Sequence, residues 1–497
     1  MKANLLILFV DGQSRQAIGA YGNSVAATPH IDALAEGSIV FDRAYVTQPV
    51  GAASMSSLLS GLFPHSSGCT ENDLPLEPGT LALPELVDSD EYSSGYIGKW
   101  HLGDEVFRQH GFGEWTSVDD SRIDYYSADR DKRERSSFHH YLRSVGFEPD
   151  DDHESGPRFS PQFVSKLPEE RSATTFVADS AIKFLDTHRA APFILCVDFP
   201  RYDTSIGSGD RIDIELSDVP LPSNHFDDLA SSSLKSRLLA HAYRRRGSNG
   251  IGLETAEGWR GLIRANWERA NGIDTAVADI LASLRRSGVE DRTIVLLASD
   301  RGEMAGSHRL AGACVMYEES VCVPSMIKLP DIFSERLDVS SRRYSAPMSQ
   351  IDLIPTLLDL LDRPIPDHLE GSSLVANLSF PELTRAEPTS EVIVEWNGLN
   401  SGFGDILGDT LILPEWRELA DDFTIRAALD DPIRTLITQD GWKYSWSHRG
   451  EDQLFHLQTD PGEMNNLVND GHSGRVASFR RRIESWQRDK LDPVVYG

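Results

Sequence analysis

Short apolar runs alternate with stretches of helical periodicity along the first three quarters of the chain. The continuous apolar runs Leu5–Val10, Phe193–Phe199 and Thr293–Ser299 predict central strands that are covered on both faces. Two further strands are predicted at Ile39–Tyr45 and Tyr92–Lys99. Apolar residues at helical spacing predict helices over residues 28–36, 174–188, 257–287 and 352–361. This alternation predicts an α/β fold with a large, mostly parallel or mixed sheet flanked by helices.

The last quarter of the chain has a different pattern, in which short apolar runs are separated by turns. Strands are predicted at Val392–Trp396, Thr435–Thr438, Trp442–Ser445 and Leu454–Leu457, followed by a closing helix over residues 474–488. These elements predict a smaller α+β domain with an antiparallel sheet. The predicted domains are residues 1–375 and 390–497, joined by a linker around 370–390. The polar, acidic stretch 104–173 has no strong period and is interpreted as an excursion over the surface.

The stretch from Pro49 to Gly61, PVGAASMSSLLSG, is predicted to be a turn that opens into a short helix. Its small residues from Gly51 onward allow the backbone to approach a ligand closely, and Ser54 is predicted to cap the helix. A helix N-terminus at this point would present free N–H groups to an anion. No base lies beside the serines in sequence, and a turn followed by a buried helix explains the stretch equally well.

Composition and charge exclude several classes of function. A net charge of −29 over 497 residues argues against a nucleic-acid partner and against docking on an anionic membrane. Arginine exceeds lysine among the few cations, which is typical of a halophilic protein, although an acidic protein from a GC-rich genome is the alternative. The 4 cysteines are widely spaced, so neither a disulfide framework nor a zinc site is expected. No apolar run is long enough for a signal peptide or a membrane span, and a cytoplasmic protein is expected.

Polar side chains follow four of the predicted strands. They are Asp11, then Lys99 with His101, then Asp198–Arg201, and finally Asp300 with Arg301. The carboxyl ends of parallel strands meet at one edge of a sheet, which is where open α/β folds bind their ligands. The sequence therefore predicts a site at this edge.

Several motifs in order carry a resemblance to a known family. The chain opens with NLLILFVDGQ and continues through TPHIDALAEGSIVFDRAYV, the Pro49–Gly61 stretch, GYIGKWHLG, ASDRGEMAGSH with MYEES, and TDPGEMNNL. In this order and spacing they resemble the sulfatase family of the alkaline phosphatase superfamily, from Asn4 to about Leu467. The resemblance implies an alkaline-phosphatase-like fold. It also implies a Cys or Ser oxidised to formylglycine, a divalent cation, usually Ca²⁺, and Lys, His and Arg side chains that bind the sulfate.

The chain departs from the family pattern at the positions that carry this chemistry. The oxidised Cys or Ser falls on Gly51, and the second of two adjacent metal-binding acids falls on Gly12. The Asp-Asn or Asp-His metal pair becomes Asp300-Arg301. The family His after the strand and proline becomes Arg201, while an Arg and a later Lys fall on Met55 and Ala313. Family residues that remain are Asp11, Lys99, His101 and His308.

We therefore expect a degenerate active site in which Arg301 pairs with Asp11 and Asp300 in place of a metal. No cofactor is expected, with Ca²⁺ or Mg²⁺ bound only if the residual Asp11 and Asp300 site still holds one. The expected function is a pseudoenzyme that binds an anion or serves as a partner subunit. Its ligand would be sulfate, phosphate, or a sulfated or phosphorylated small molecule or glycan, and a homo-oligomer or a hetero-complex both stay open. The predicted anion-binding residues are Lys99, His101, Arg201, Arg301 and Ser54.

The alternative is an active hydrolase or transferase of sulfuric or phosphoric esters with non-standard residues. Its catalytic candidates are Lys99, His101 and His308, with His101 or His308 as the base.

Overall fold

A computed structural model describes residues 2–72, 74–87, 91–152, 158–201, 212–333, 343–379, 391–398 and 412–494. Its strands in chain order are β1 Asn4–Val10, β2 Ile39–Phe41, β3 Ala44–Tyr45, β4 Ser93–Gly98, β5 Glu114–Ser117, β6 Asp150–Asp151, β7 Arg158–Phe159, β8 Phe193–Phe199, β9 Thr293–Ser299, β10 Cys322–Val323, β11 Ser325–Lys328, β12 Arg343–Tyr344, β13 Met348–Ser349, β14 Glu391–Trp396, β15 Ile433–Thr438, β16 Trp442–Ser447 and β17 Gln453–His456.

The α-helices of the same residues follow in chain order. They are α1 Pro29–Glu36, α2 Gly51–Ser60, α3 Pro64–Ser67, α4 Leu83–Val87, α5 Ser137–Ser144, α6 Pro161–Val164, α7 Ala173–His188, α8 Leu234–Arg246, α9 Ala256–Arg286, α10 Glu318–Val321, α11 Leu353–Leu360, α12 Val375–Ser379, α13 Asp422–Leu429 and α14 Ser473–Lys490. None of these helices is both long enough and apolar enough to cross a membrane.

The main sheet has eight strands in the order β12-β2-β11-β9-β1-β8-β4-β5. Strands β9, β1, β8, β4 and β5 run parallel to one another, and β11 runs antiparallel to both β9 and β2. The predicted α/β fold with a large mixed sheet is confirmed.

Both faces of β1 are covered by helices, which explains its continuous apolar sequence. Leu6 and Leu8 pack on one face with apolar residues of α7 and α9, and Ile7 and Phe9 pack on the other face with α2 and α11. The strand predictions Leu5–Val10, Phe193–Phe199 and Thr293–Ser299 are confirmed within one residue.

Two parts of this domain differ from the sequence prediction. The run Ile39–Tyr45 forms two strands in different sheets, because a polar turn at Asp42 and Arg43 interrupts it. The stretch 104–173 contains β5, which extends the main sheet, as well as α5. Strand β5 was not predicted because its four residues are too few to show a clear period of apolar positions. In the structure, Trp115 of β5 stacks on Tyr96 of β4, with ring centroids 5.0 Å apart. That contact between neighbouring strands holds β5 at the sheet edge.

The C-terminal part contains the predicted antiparallel sheet, in the order β14-β15-β16-β17. One face of this sheet packs on α14, through residues such as Phe479 and Ile483. The other face shares a core with the large domain, in which Val394 and Trp396 pack with Leu238 of α8. The predicted linker at 370–390 lies partly outside the described residues. Helix α8 was not predicted, because charged residues interrupt its apolar positions.

A histidine of the large domain joins it to two C-terminal elements. His65 of α3 is buried, with Nδ1 2.6 Å from Glu395 Oε1 in β14 and Nε2 3.0 Å from the Lys490 carbonyl oxygen in α14. Acceptors on both sides favour the doubly protonated ring. Burial alone lowers the pKa of His65, but the hydrogen bond and charge of Glu395 raise it above its ordinary 6.5.

We expect His65 to stabilise the protein in a pH-dependent way. Because its folded pKa is raised, the stabilisation is complete below about pH 6.5 and is lost as the pH rises through the folded pKa. The melting temperature of the wild type should therefore fall more between pH 6.5 and pH 9 than that of His65→Gln. His368→Gln, at an exposed position, is the control and should follow the wild type. Parallel profiles for the wild type and His65→Gln would contradict this assignment.

Candidate active site

The centre of the predicted site lies where β1 and β9 end side by side. Val10 pairs with Ser299 in the parallel register, so the next residues, Asp11 and Asp300, are neighbours at the same edge. The Arg301 guanidinium lies between them, with Nη2 2.6 Å from Asp11 Oδ1 and Nη1 hydrogen-bonded to Asp300 Oδ2. The Gly12 N–H donates to Asp300 Oδ1 at 2.7 Å. The structure thus contains the pairing of Arg301 with both carboxylates that the sequence predicts.

The charges of this cluster depend on each other. Burial alone would raise the pKa of Asp11, but Arg301, His101 and Lys99 hold it well below its usual range. Burial also raises the pKa of Asp300, and the net result is about 6 despite the opposing charge of Arg301. Arg301 is therefore needed to keep these two carboxylates ionised close together.

Gly51, the first residue of α2, lies directly beside this cluster. A Cβ atom built on Gly51 would be 3.3 Å from Asp300 Oδ2 and 3.6 Å from His101 Nδ1. The structure thus places Gly51, which the motif resemblance matches to the family nucleophile, beside this cluster; as a glycine it offers no side chain to oxidise.

His101 and Asp198 form a buried pair next to Asp11. His101 Nε2 lies 3.5 Å from Asp198 Oδ2 and 3.8 Å from Asp11 Oδ2. Within the described parts of the chain, neither carboxyl oxygen of Asp198 has a hydrogen-bond partner. Burial raises the pKa of Asp198 well above its ordinary value, helped by Asp11 and Asp300, while burial lowers the pKa of His101 to about 3. Burial thus favours the uncharged form of both groups.

Two more cations, Lys99 and Arg201, lie at the same edge with carboxylate partners. Lys99 Nζ is 3.4 Å from Asp119 Oδ2, and Arg201 Nη2 is 2.5 Å from Glu303 Oε2. The side chains of Lys99, Arg201 and Arg301 are 17%, 20% and 17% exposed, whereas those of their carboxylate partners are at most 3% exposed. The cationic groups are therefore the accessible part of the cluster and the carboxylates its buried part.

Three supporting residues were not predicted from the sequence. Arg269 of α9 donates to the carbonyl oxygens of Asp11 at 2.7 Å and Gly12 at 2.5 Å, which fixes the end of β1. Glu105 accepts from the N–H groups of Trp100 and His101, and burial with the nearby Asp119 raises its pKa to about 8. Glu303 is the partner of Arg201. These side chains carry no local signal, whereas Asp198 is the charged residue within the apolar run Phe193–Phe199 and is among the strand-end residues that the sequence predicts for the site.

Two predicted site residues have other roles. Ser54 is not the helix cap, because α2 begins earlier at Gly51 with Val50 as its N-cap. Its hydroxyl donates to Gln350 Oε1 at 2.9 Å and its N–H donates to the Val50 carbonyl oxygen, so both of its donors have partners within the protein. Anion binding by Ser54 stays a prediction. His308 is buried against Asp227, with Nδ1 2.7 Å from Asp227 Oδ2, and its ring stacks on Tyr317.

The donor set does not fit the divalent cation that the resemblance implies. The Arg301 guanidinium takes up the inner oxygens of Asp11 and Asp300, and Gly12 supplies no side-chain ligand. A metal ion there would stand at contact distance from a fixed positive charge.

Comparison with known proteins identifies the family of the chain. The family model described as Sulfatase matches residues 3–204 and 213–363. The chain belongs to the sulfatase family. An ulvan-active sulfatase from Formosa agariphila is 26% identical over 77% of this chain and 66% of its own length. A multifunctional alkaline phosphatase superfamily protein from Trinickia caryophylli is 24% identical, covering 94% of this chain and 91% of its own.

A solved structure extends the likeness to the fold of the whole sulfatase-family chain. A phosphonate monoester hydrolase from Silicibacter pomeroyi superposes with a TM-score of 0.73, at 19% identity, covering 99% of this chain and 96% of the other. At that identity the likeness concerns the fold alone.

Proposed function

We propose that this sulfatase-family protein binds a sulfate- or phosphate-bearing ligand at the carboxyl edge of its main sheet without hydrolysing it by the family nucleophile. The observation that carries the proposal is the layering of charge at the centre. Lys99, Arg201 and Arg301 keep partial exposure, while the carboxylates that balance them are buried. An approaching ligand therefore meets guanidinium and ammonium groups first, and these are the donors that oxyanions prefer.

The relatives support the ligand class. One is named an ulvan-active sulfatase and another an N-acetylglucosamine-6-O-sulfatase, from Bacteroides thetaiotaomicron. We infer that the anion is a sulfate or phosphate group, with a sulfated glycan as the preferred larger ligand.

Calorimetric titration with sodium sulfate tests this function. The wild type should bind sulfate, and Lys99→Met should weaken binding roughly 10-fold or more, because a hydrogen bond to a charged group contributes about 1.5–3 kcal/mol. Lys183→Met, which removes an exposed lysine near the end of α7 that leads into the start of β8, is the matched control and should bind as the wild type does. If neither sulfate nor phosphate binds the wild type, or if both variants bind equally, the function lies elsewhere on the protein.

A second candidate function is hydrolysis with a different base. The observation behind it is that His101 Nε2 has no hydrogen-bond partner among the described residues and lies 3.8 Å from Asp11 Oδ2. Burial lowers the pKa of His101 to about 3, which makes it a weak base and places this candidate second. On this hypothesis Lys99 and Arg201 would stabilise charge on the transferring group. Turnover that is lost in His101→Gln would favour this candidate over the non-hydrolysing one.

A further inference from the structure

Two glycines of the centre each face an arginine. A Cβ atom on Gly51 would lie 2.9 Å from Arg301 Nη1, and a Cβ atom on Gly12 would lie 2.9 Å from Arg201 Nη1. Both distances are shorter than those real Cβ atoms show to a neighbouring heavy atom. The two guanidinium groups therefore extend into the volume that side chains at residues 51 and 12 would fill.

By the motif resemblance, Gly51 aligns with the family's nucleophile and Gly12 with one of its metal ligands. The two arginines therefore occupy space next to both the nucleophile position and the metal position. Arg301 itself takes the position of a second metal ligand and contacts two carboxylates, Asp11 and Asp300. Asp198 lies next to this pair, so three buried carboxyl groups meet around one point. A cation is needed there, since without one the ionised carboxylates would repel each other in a buried site.

We propose that Arg301 is a protein-borne replacement for the divalent cation, and that Gly51 and Gly12 make room for it and for Arg201. The centre then has a fixed positive charge that no chelator can remove. Binding of an oxyanion, which rests on the proposed function, would accordingly be independent of metal. The replacement itself does not depend on the ligand and can be tested without one.

The decisive variant is Arg301→Asn, because it restores the Asp-Asn pair of the family and removes the guanidinium. We expect metal-free Arg301→Asn to melt at a lower temperature than the wild type in EDTA and to regain much of the loss in millimolar Ca²⁺. It should bind about one Ca²⁺ per chain by calorimetry and elemental analysis, as expected when oxygen ligands surround one site. The wild type should bind no Ca²⁺ and melt at the same temperature in both buffers.

Two controls separate charge from simple damage. Arg301→Lys keeps a positive charge and should stay insensitive to Ca²⁺. Arg245→Asn removes a half-exposed arginine that pairs with Glu418, and it should behave as the wild type. If Arg301→Asn is unfolded in EDTA, refolding it in Ca²⁺ is the same test, and failure to refold counts against the proposal.

The proposal is overturned if the wild type binds one Ca²⁺ per chain that Asp300→Ala abolishes, or if Arg301→Asn gains no Ca²⁺ binding. Sulfate titration of the wild type, in EDTA and in Ca²⁺, tests separately whether anion binding needs a metal. Equal sulfate affinity in EDTA and in Ca²⁺ supports the metal-independent centre, and an affinity that requires Ca²⁺ contradicts it. Absence of sulfate binding in both buffers removes the proposed function but leaves the Ca²⁺ result on Arg301 intact.

Discussion

The wild-type protein will release no more sulfate from an aryl sulfate than a buffer blank does. This expectation rests on the resemblance that matches Gly51 to the family nucleophile. Gly51 lies beside Asp300 and His101 and has no side chain to attack sulfur. Removing an essential nucleophile lowers kcat by about 10⁶-fold in a well-studied serine hydrolase. A continuous colorimetric assay, with mass spectrometry to search for formylglycine in the peptide that contains residue 51, measures the outcome.

Restoring the side chain alone should not restore activity. In Gly51→Cys the new Cβ would crowd Arg301 Nη1, and Gly12, Met55 and Ala313 would still lack the family's side chains. Gly79→Cys is a suitable control for the mutation, since this exposed glycine has no positive φ and a Cβ there meets no atom within 4 Å. Aryl sulfate turnover by Gly51→Cys would show that the remaining centre is intact. Wild-type turnover abolished by His101→Gln would instead establish the second candidate function.

Removing the charge of Arg301 is expected to cause the largest loss of stability of any single change at the centre. Arg301→Met keeps much of the side-chain volume but leaves Asp11 and Asp300 buried without their shared partner. Breaking a buried pair by removing one member costs about 3–5 kcal/mol, discounted here because Arg301 is partly exposed. Urea unfolding at neutral pH measures this loss, and Arg245→Met, at a surface pair, should change the free energy of unfolding by less than about 1 kcal/mol.

The pH dependence of this loss follows from the pKa of Asp11. In the wild type that pKa is lowered, so its stabilisation is present above the unfolded value of 3.8 and is lost as the pH falls through the folded value. In Arg301→Met the guanidinium no longer opposes the effect of burial, so the pKa of Asp11 rises and its carboxyl group takes up a proton at a higher pH. The difference in free energy of unfolding between Arg301→Met and the wild type should therefore become smaller toward pH 4. Adding Asp11→Asn and Asp300→Asn to Arg301→Met should also reduce this difference in free energy at neutral pH. If neither low pH nor the two Asn substitutions reduces it, unpaired carboxylate charge is not the cause of the loss.

The sequence predicts the central strands well because they are buried on both faces. Neither face of these strands is exposed to solvent, so their sequences are almost continuously apolar and easy to recognise in Asn4–Val10, Phe193–Phe199 and Thr293–Ser299. The residues that follow the first and last of them are Asp11, Asp300 and Arg301. The pairing of Arg301 with both carboxylates also follows from charge and strand order alone.

What could not be predicted depends on contacts between distant parts of the chain. Arg269 is one arginine among several in a long amphipathic helix, and only the packing of α9 shows that it holds the end of β1. Ser54 was misassigned because the start of α2 depends on the small residues before it, and not on a capping side chain. The strand β5 is four residues long and is held by the stacking of Trp115 on Tyr96, which no local pattern reveals.

The position of β1 between β8 and β9 has a consequence for the order in which the chain folds. Asp11 and Asp198 are brought together by the β1–β8 pairing, but their guanidinium arrives only with β9, since Gly12 and Asp300 are 288 residues apart. A nascent chain that has emerged only as far as β8 would hold two adjacent carboxyl groups without that cation. Contacts of such long range form slowly, and the β9 edge of β1 stays unpaired until they do. Docking of β9 therefore pairs the second edge of β1 and neutralises the centre in one event, so the Arg301 contacts report that β1 is paired on both sides.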